Sequence, residues 1–267
     1  MLGQLIEAGA NVFRLNMSQS KPDWVREVVF RIRRKAAELK ANVAILFDLQ
    51  GPSIRTGDLM EPYHLKKGDT VEIRLGTAKP ELPFSTTVNY DGLLQDVQAG
   101  HTMVVDNGGI LMRIAEVRPD RLICDVLTEG VFGSRRHINL PGVALRLPAL
   151  TEKGVAGLAV AVECETDYVA MSFVRDAAHI AQLREHIDNL GGKAQIVAKI
   201  EDQQAVRHID DIILAADVIM VARGDLGIEV SIEELPIIQR RIVRHCHRLG
   251  RRCIVATHML ESMITQP

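Results

Sequence analysis

The stretch IVAKIE, residues 196–201, ends an apolar run with a lysine and a glutamate two positions apart. In a strand, residues two apart point to one side, so Lys199 and Glu201 share a face at the strand's carboxyl end. Taken alone, they read as an ion pair at a strand terminus. A second carboxylate, Asp225, ends the next apolar run, VIMVARGD. Two carboxylates suit a hard divalent cation, Mg2+ or Mn2+, with substrate oxygens and water completing its shell. Lys199 and Arg14 beside that ion make a cluster suited to a phosphate or another anion, with arginine adding planar, bidentate recognition. The glycine in ARGDLG breaks its strand, so the loop N–H groups there can take a carboxylate.

These residues need elements to bring them together. NVFRLN, VAILFDL, YVAMSFV, QIVAKIE, VIMVARG and CIVAT are short, apolar and rich in β-branched residues. They are nearly continuous rather than alternating, as expected of strands buried on both faces of a parallel sheet. Between them lie helical patterns. KPDWVREVVFRIRRKAAELKA sets Trp24, Val25, Val28, Val29, Ile32 and Leu39 on one side with basic residues opposite. DAAHIAQLREHIDNLGG offers Asp176 as N-cap and Gly191 as stop, and SIEELPIIQRRIVRHCHRLG offers Ser231 and Glu234 at capping-box spacing.

From residue 168 onward the rhythm is that of βα units. Residues 58–147 break it with short β-like runs punctuated by Gly, Pro, Asp and Asn, which reads as a small all-β domain inserted between barrel segments 1–57 and 148–267. FRLNMS, FDLQGP, AKIE, ARGD and VATH each place polar groups where a strand runs out into its loop. In an α/β barrel those ends share one rim, where the active site lies.

Composition narrows the classes. A net charge of −2 over 267 residues gives no general electrostatic reason to bind nucleic acid or an anionic membrane. No apolar stretch reaches the ~20 residues of a membrane span, and MLGQLIEAGANVF lacks the basic start of a signal peptide. Four cysteines without a CxxC pair suit the reduced thiols of a cytoplasmic protein. HCH at 245–247 has metal-ligand residue types but the wrong spacing for one helix face. Neither a Walker A loop, a GxGxxG turn nor a GxSxG elbow is present.

GANVFRLNMS, LFDLQGPSIRTG, INLPG…LPALTEK, YVAMSFVRD, IVAKIED, VIMVARGDLGIEV and IVATHMLESMI follow in order. Together they resemble the pyruvate kinase family over nearly the whole chain. The resemblance implies a (β/α)8 barrel with an inserted β domain and phosphoryl transfer between phosphoenolpyruvate and ADP, giving pyruvate and ATP. It implies that Glu201 and Asp225 hold the divalent metal, Lys199 faces the transferring phosphoryl group, and Arg14 binds phosphate. It further implies that Gly224 and Asp225 offer N–H groups to the substrate carboxylate and that Thr257 takes part in protonating the enolate. Arg55 and Asn16 fall near the nucleotide, and Asn16, Ser18 and Asp48 match ligands of a monovalent cation, usually K+.

The sequence departs from the family at several of these points. Gln19 stands for a histidine near the nucleotide phosphates, and Ser20 for a glycine. Leu49 and Ser53 replace the pairs that accompany K+ dependence or independence, so K+ dependence is expected to be weak. Family members also begin with a further strand and continue through an eighth strand and a C-terminal domain. The expected fold is therefore an incomplete barrel of about six strands, a fragment or a chain that recovers closure as a homo-oligomer. Two other readings stay open: a Mg2+-dependent lyase or aldolase acting on enolates, and a non-catalytic phosphoenolpyruvate-binding remnant.

Overall fold

The computed structural model describes residues 1–259 and residue 264, so residues 260–263 of the IVATHMLESMI motif lie outside the described residues. The chain opens with α1 (Leu2–Glu7), β1 (Val12–Asn16), α2 (Pro22–Glu38) and β2 (Ala44–Asp48). It then leaves through β3 (Ile54–Arg55), β4 (Tyr63–Leu65), β5 (Thr70–Arg74), β6 (Phe84–Thr87) and the one-turn helix α3 (Leu93–Asp96). β7 (Thr102–Val105), β8 (Ile110–Val117), β9 (Arg121–Val126), β10 (Gly130–Phe132) and β11 (His137–Asn139) complete that excursion. The return runs α4 (Glu152–Glu163), β12 (Tyr168–Met171), α5 (Ala177–Asn189), β13 (Gln195–Ile200), α6 (Gln203–Arg207) and α7 (Ile209–Ala215). β14 (Val218–Val221), α8 (Arg223–Glu229), α9 (Leu235–Arg248) and β15 (Arg252–Val255) follow.

Six strands form one parallel sheet in the order β1-β2-β12-β13-β14-β15, the incomplete barrel expected. Its period-2 alternation gives the two faces different jobs. Ile45, Phe47, Val169, Met171, Ile196, Ala198, Ile200, Ile219 and Val221 face the helices and build the main core. Leu46, Ala170, Val197, Val218 and Met220 point inward and form a smaller cluster deep in the half-barrel. Above it on the same inward face stand Asp48, Lys199 and Glu201, all buried. β1 departs from the expected two-sided burial, because as an edge strand it exposes Val12, Arg14 and Asn16 and buries only Leu15.

Helix ends follow the sequence signals with one difference, at the start of the last helix. Asp176 accepts the His179 N–H at 3.1 Å, and Gly191 takes a positive φ of 74° after α5, as α5's caps require. In α9 the helix starts at Leu235, after the capping-box pair: Ser231 Oγ accepts the Glu234 N–H at 3.3 Å in the preceding turn. Pro236 has no N–H to give to an earlier turn, so it sits at the helix start. On α2 the buried stripe is Val25, Val29, Ile32 and Ala36. Trp24, one residue off that stripe, is 51% exposed.

The inserted β domain is a seven-stranded sheet, β3-β11-β7-β8-β9-β5-β6, with a β10-β4 pair beside it. Its core holds Val71, Ile73, Met103, Met112, Ile114, Leu122 and Phe132. Its two crossings to the barrel are paired to each other, with Ile54 opposite Ile138 and Arg55 opposite His137. Among the described residues, no helix is long and apolar enough to cross a membrane.

Candidate active site

The floor of the site is laid by β13. Lys199 lies among inward-facing residues, and its Nζ reaches Glu201 Oε1 at 2.8 Å, donates to Ser172 Oγ at 2.8 Å and approaches Asp48 Oδ1 at 3.3 Å. The ion pair expected from spacing is therefore present, but it is one edge of a larger cluster. Asp48, from the end of β2, also accepts from Arg14 Nε at 2.8 Å and lies 2.6 Å from an Arg14 terminal nitrogen. Arg14 itself is about half exposed, with a side-chain exposure of 54%, so its guanidinium meets both Asp48 and the open cleft.

The neighbouring loops hold this cluster in place. Gly51 follows β2, and a Cβ there would lie 2.6 Å from Ser172 Cβ; only glycine lets this turn back onto the exit of β12. Phe173 has φ of 53°, and its N–H donates to Glu201 Oε2 at 2.6 Å. Both Glu201 oxygens are thus engaged.

Electrostatics set the cluster apart from an ordinary ion pair. Burial pushes the Glu201 carboxyl up to about 7, with Lys199 pulling it down and the Asp225 charge pushing it up. Burial alone would lower the Lys199 ammonium, but Glu201 and Asp48 hold it above the usual lysine range, so it stays charged. Asp48 Oδ1 is buried without a hydrogen bond; the 3.3 Å approach of Lys199 is a charge contact of poor angle. Asp225 raises the Glu201 carboxyl through like-charge repulsion, and positive charge brought to the pair would relieve it, which fits a divalent cation held by Glu201 and Asp225. Among the described residues no group of three or more His, Cys, Asp or Glu could hold a metal by itself. Such an ion would draw its other ligands from substrate and water, as Mg2+ commonly does.

Arg14, Asn16, Ser18, Asp48, Arg55, Lys199, Glu201 and Asp225 all line one cleft of about 550 Å³. Gly224 and Thr257 are not among its lining residues; they neighbour each other, a Cβ on Gly224 lying 3.7 Å from Thr257 Oγ1. ARGDLG is the first turn of α8 rather than an open loop. The N–H groups of Gly224 and Asp225 still lack intrahelical acceptors there. Thr257 adopts φ of 73° and accepts from Arg223 through its carbonyl, as Ala256 does at 2.8 Å. Of the candidate monovalent-cation oxygens, Asn16 Oδ1 is already engaged: it accepts from the Ser18 N–H at 3.1 Å and from Ser18 Oγ at 2.7 Å.

With this geometry in view, residues 1–267 match the family described as pyruvate kinase, barrel domain. The chain belongs to the pyruvate kinase family. It is 39% identical over 270 residues to plastidial pyruvate kinase 2 of Arabidopsis thaliana, covering all of this chain and 46% of that relative. It is 38% identical over 269 residues to a pyruvate kinase of Clostridium perfringens, covering 57% of it, and 35% identical to one of Bacillus licheniformis, covering 46%. The chain thus spans about half the length of the curated relatives it matches.

Some residues lining this pyruvate kinase cleft escaped the sequence reading. Ser172 and Phe173 sit in a quoted motif, YVAMSFVRD, but a serine and an apolar residue carry no chemical signal alone. The available signal for Ser172 was its place at a strand exit, like the other polar exits. Ser134, Arg135, Arg136 and His137 line the same cleft from the inserted domain. Their contribution depends on how that domain folds back, which local patterning does not reveal. Burial and the Arg55 charge push the His137 imidazole below its usual range, against a smaller upward pull from Asp225.

Proposed function

We propose that this chain carries the pyruvate kinase active site and transfers the phosphoryl group of phosphoenolpyruvate to ADP, giving pyruvate and ATP. The observation that carries the reading is Lys199, a charged ammonium held 2.8 Å from Glu201 at the floor of a polar cleft, with Asp225 near enough to shift Glu201's titration.

Glu201 and Asp225 would hold Mg2+ or Mn2+, which supplies charge neutralisation and orientation for the phosphoryl oxygens when bound. Phosphoryl transfer leaves little covalent work for the protein, so catalysis is positioning and electrostatic stabilisation. Lys199 offsets the negative charge that builds on the bridging oxygen as the bond to phosphorus breaks. Arg14 binds the phosphoryl group from the exposed side of the cleft and is itself oriented by Asp48. The N–H groups of Gly224 and Asp225 take the substrate carboxylate. Thr257 relays a proton to the enolate carbon through water, and Arg55 and Asn16 meet the nucleotide. Ser18 and Asp48 belong to the monovalent-cation region, where fixed cations already balance Asp48. A cytoplasmic setting, and action on small molecules rather than nucleic acid or membrane, complete the proposal.

The purified chain is incubated with phosphoenolpyruvate, ADP and Mg2+, and pyruvate and ATP are followed together, with Lys199→Met as control. Equal amounts of both products, lost in the variant, are expected. Pyruvate without ATP returns the reading to a lyase or aldolase, and binding without turnover to a non-catalytic remnant.

A further inference from the structure

The cleft has two unlike walls. Its floor is carboxylate-rich and carries Lys199, whereas the opposite wall comes from the inserted domain and is cationic. Most of that cationic charge is already paired. Arg135 gives two nitrogens to Asp58 at 2.7 and 2.8 Å, and Arg136 reaches Asp106 at 3.3 Å. Among the described residues Arg55 has only neutral hydrogen-bond partners, Ser53 Oγ at 3.3 Å and the Arg135 carbonyl at 3.0 Å.

His137 lies directly opposite Arg55 in the β3–β11 pairing. Strand alternation decides where it points: Ile138 enters the core of the inserted domain, so His137 and Asn139 face the barrel. Asn139 accordingly reaches Glu229 across the junction at 3.5 Å. The His137 ring packs on Phe173, with centroids 6.0 Å apart and planes tilted by 55°. Neither ring nitrogen makes a hydrogen bond within the described residues, and the side chain lines the cleft, near enough to Arg55 and Asp225 to feel both charges. A polar ring fixed by packing on one side, with open nitrogens on the other, is built to donate to something that enters.

We infer that His137 is a phosphate-contacting residue for a nucleoside diphosphate, acting with Arg55 on the inserted-domain side of the cleft. The inference rests on the phosphoryl-transfer reading of the same site. The ligand chemistry follows from position. A group bridging the metal carboxylates on the floor and Arg55 on the far wall must be anionic over several atoms, as a polyphosphate is. An N–H from imidazole to phosphate is a hydrogen bond to a charged acceptor, for which loss costs about tenfold or more in affinity.

Two substitutions separate donation from packing. His137→Phe keeps an aromatic ring against Phe173 and removes the donor; His137→Asn restores a donor without the ring. Binding of Mg-ADP and, separately, of phosphoenolpyruvate with Mg2+ is measured by calorimetry on the full chain. His137→Phe is expected to weaken Mg-ADP about tenfold and leave phosphoenolpyruvate within about twofold, with His137→Asn recovering most of the loss. Unchanged Mg-ADP affinity in His137→Phe, equal loss in both variants, a parallel loss of phosphoenolpyruvate affinity, or no Mg-ADP binding by the unsubstituted chain each overturn the inference. Failure of the unsubstituted chain to form ATP would instead overturn the functional reading, while the calorimetric comparison still decides the role of His137.

Discussion

Two buried charge clusters sit in the two halves of this molecule, and they are finished differently. In the inserted domain, Glu72 is fully buried, with 0% exposure. It accepts from Arg121 at 2.8 Å and from the N–H groups of Glu81 and Leu82 at 2.7 and 3.2 Å. Burial pushes its carboxyl up, but hydrogen bonds from Ser85, those two amides and Arg121 outweigh it and hold the group below the usual range. At the barrel rim, Glu201 is as deeply buried, yet its carboxyl rises to about 7, and Asp48 keeps an oxygen without a hydrogen bond. A buried charge that is fully satisfied is structure; one left partly unbalanced inside a cleft is poised to take a ligand.

The sharpest way to break this contrast is to remove the cation from the unfinished cluster. Lys199→Met should lower ATP formation by about 10³-fold or more, since a charge aimed at the transferring group is lost. The fold should survive, because Glu201 can protonate when its counter-charge is gone; far-ultraviolet circular dichroism and the product assay together check this. A variant that retains a tenth of the activity would remove Lys199 from the chemistry. In the finished cluster the effect is on stability instead. Glu72→Ala leaves the Glu81 and Leu82 amides without their acceptor and Arg121 with only Asp120 and Glu81, and should cost about 2–3 kcal/mol. Hydrogen exchange should quicken in β5 and β9 while Mg2+-dependent phosphoenolpyruvate binding stays within about twofold. A loss of binding as large as the loss of protection would mean that the two clusters are not independent.

The same contrast explains what could be read from sequence. The parallel strands were legible because each is a continuous apolar run, and Lys199 and Glu201 because spacing two in a strand fixes a shared face. Their partners were not. Ser172 and Phe173 act through a hydroxyl and a backbone N–H at a strand exit, and any residue type supplies a backbone N–H. His137 faces the barrel only because β11 pairs with β3 across the whole inserted domain, a non-local fact. Trp24 went the other way: helical periodicity is soft by one residue at the edge of a stripe, and here the stripe passes beside it.

Glu229 tests the junction between the halves. It is 9% exposed, and burial, aided by Asp202, pushes its carboxyl up to about 7 from the ordinary 4.5. Below about pH 4.5 the group is protonated whether the chain is folded or not, and it costs nothing. As pH rises toward 7 the unfolded chain ionises first, so stability falls, and above that the cost is constant at about 3 kcal/mol. Glu229→Gln keeps the shape without the charge. It should therefore be more stable than the parent by up to about 3 kcal/mol at pH 8 and equal to it near pH 4. Urea midpoints at the two pH values measure the difference, and an identical difference at both would show that the carboxyl is not titrating in this window.

The smallest effect concerns the monovalent cation, where the rim already carries its own positive charge. Asp48 would be the main anionic ligand, but Arg14 and Lys199 lie 2.6 and 3.3 Å from its oxygens. Asn16 Oδ1 is taken by two donors from Ser18. Leu49 turns its side chain into the helix-facing core, 2% exposed, and brings no oxygen. A K+ ion entering here would meet two fixed cations and compete for one carboxylate, so its binding gains little. Replacing K+ by tetramethylammonium at constant ionic strength should change the initial rate by no more than about twofold, as expected where like charges repel the incoming ion. A tenfold or greater loss would mean that Arg14 swings away from Asp48 when substrate binds. The rim's balance of charge would then be set by the ligand and not by the chain.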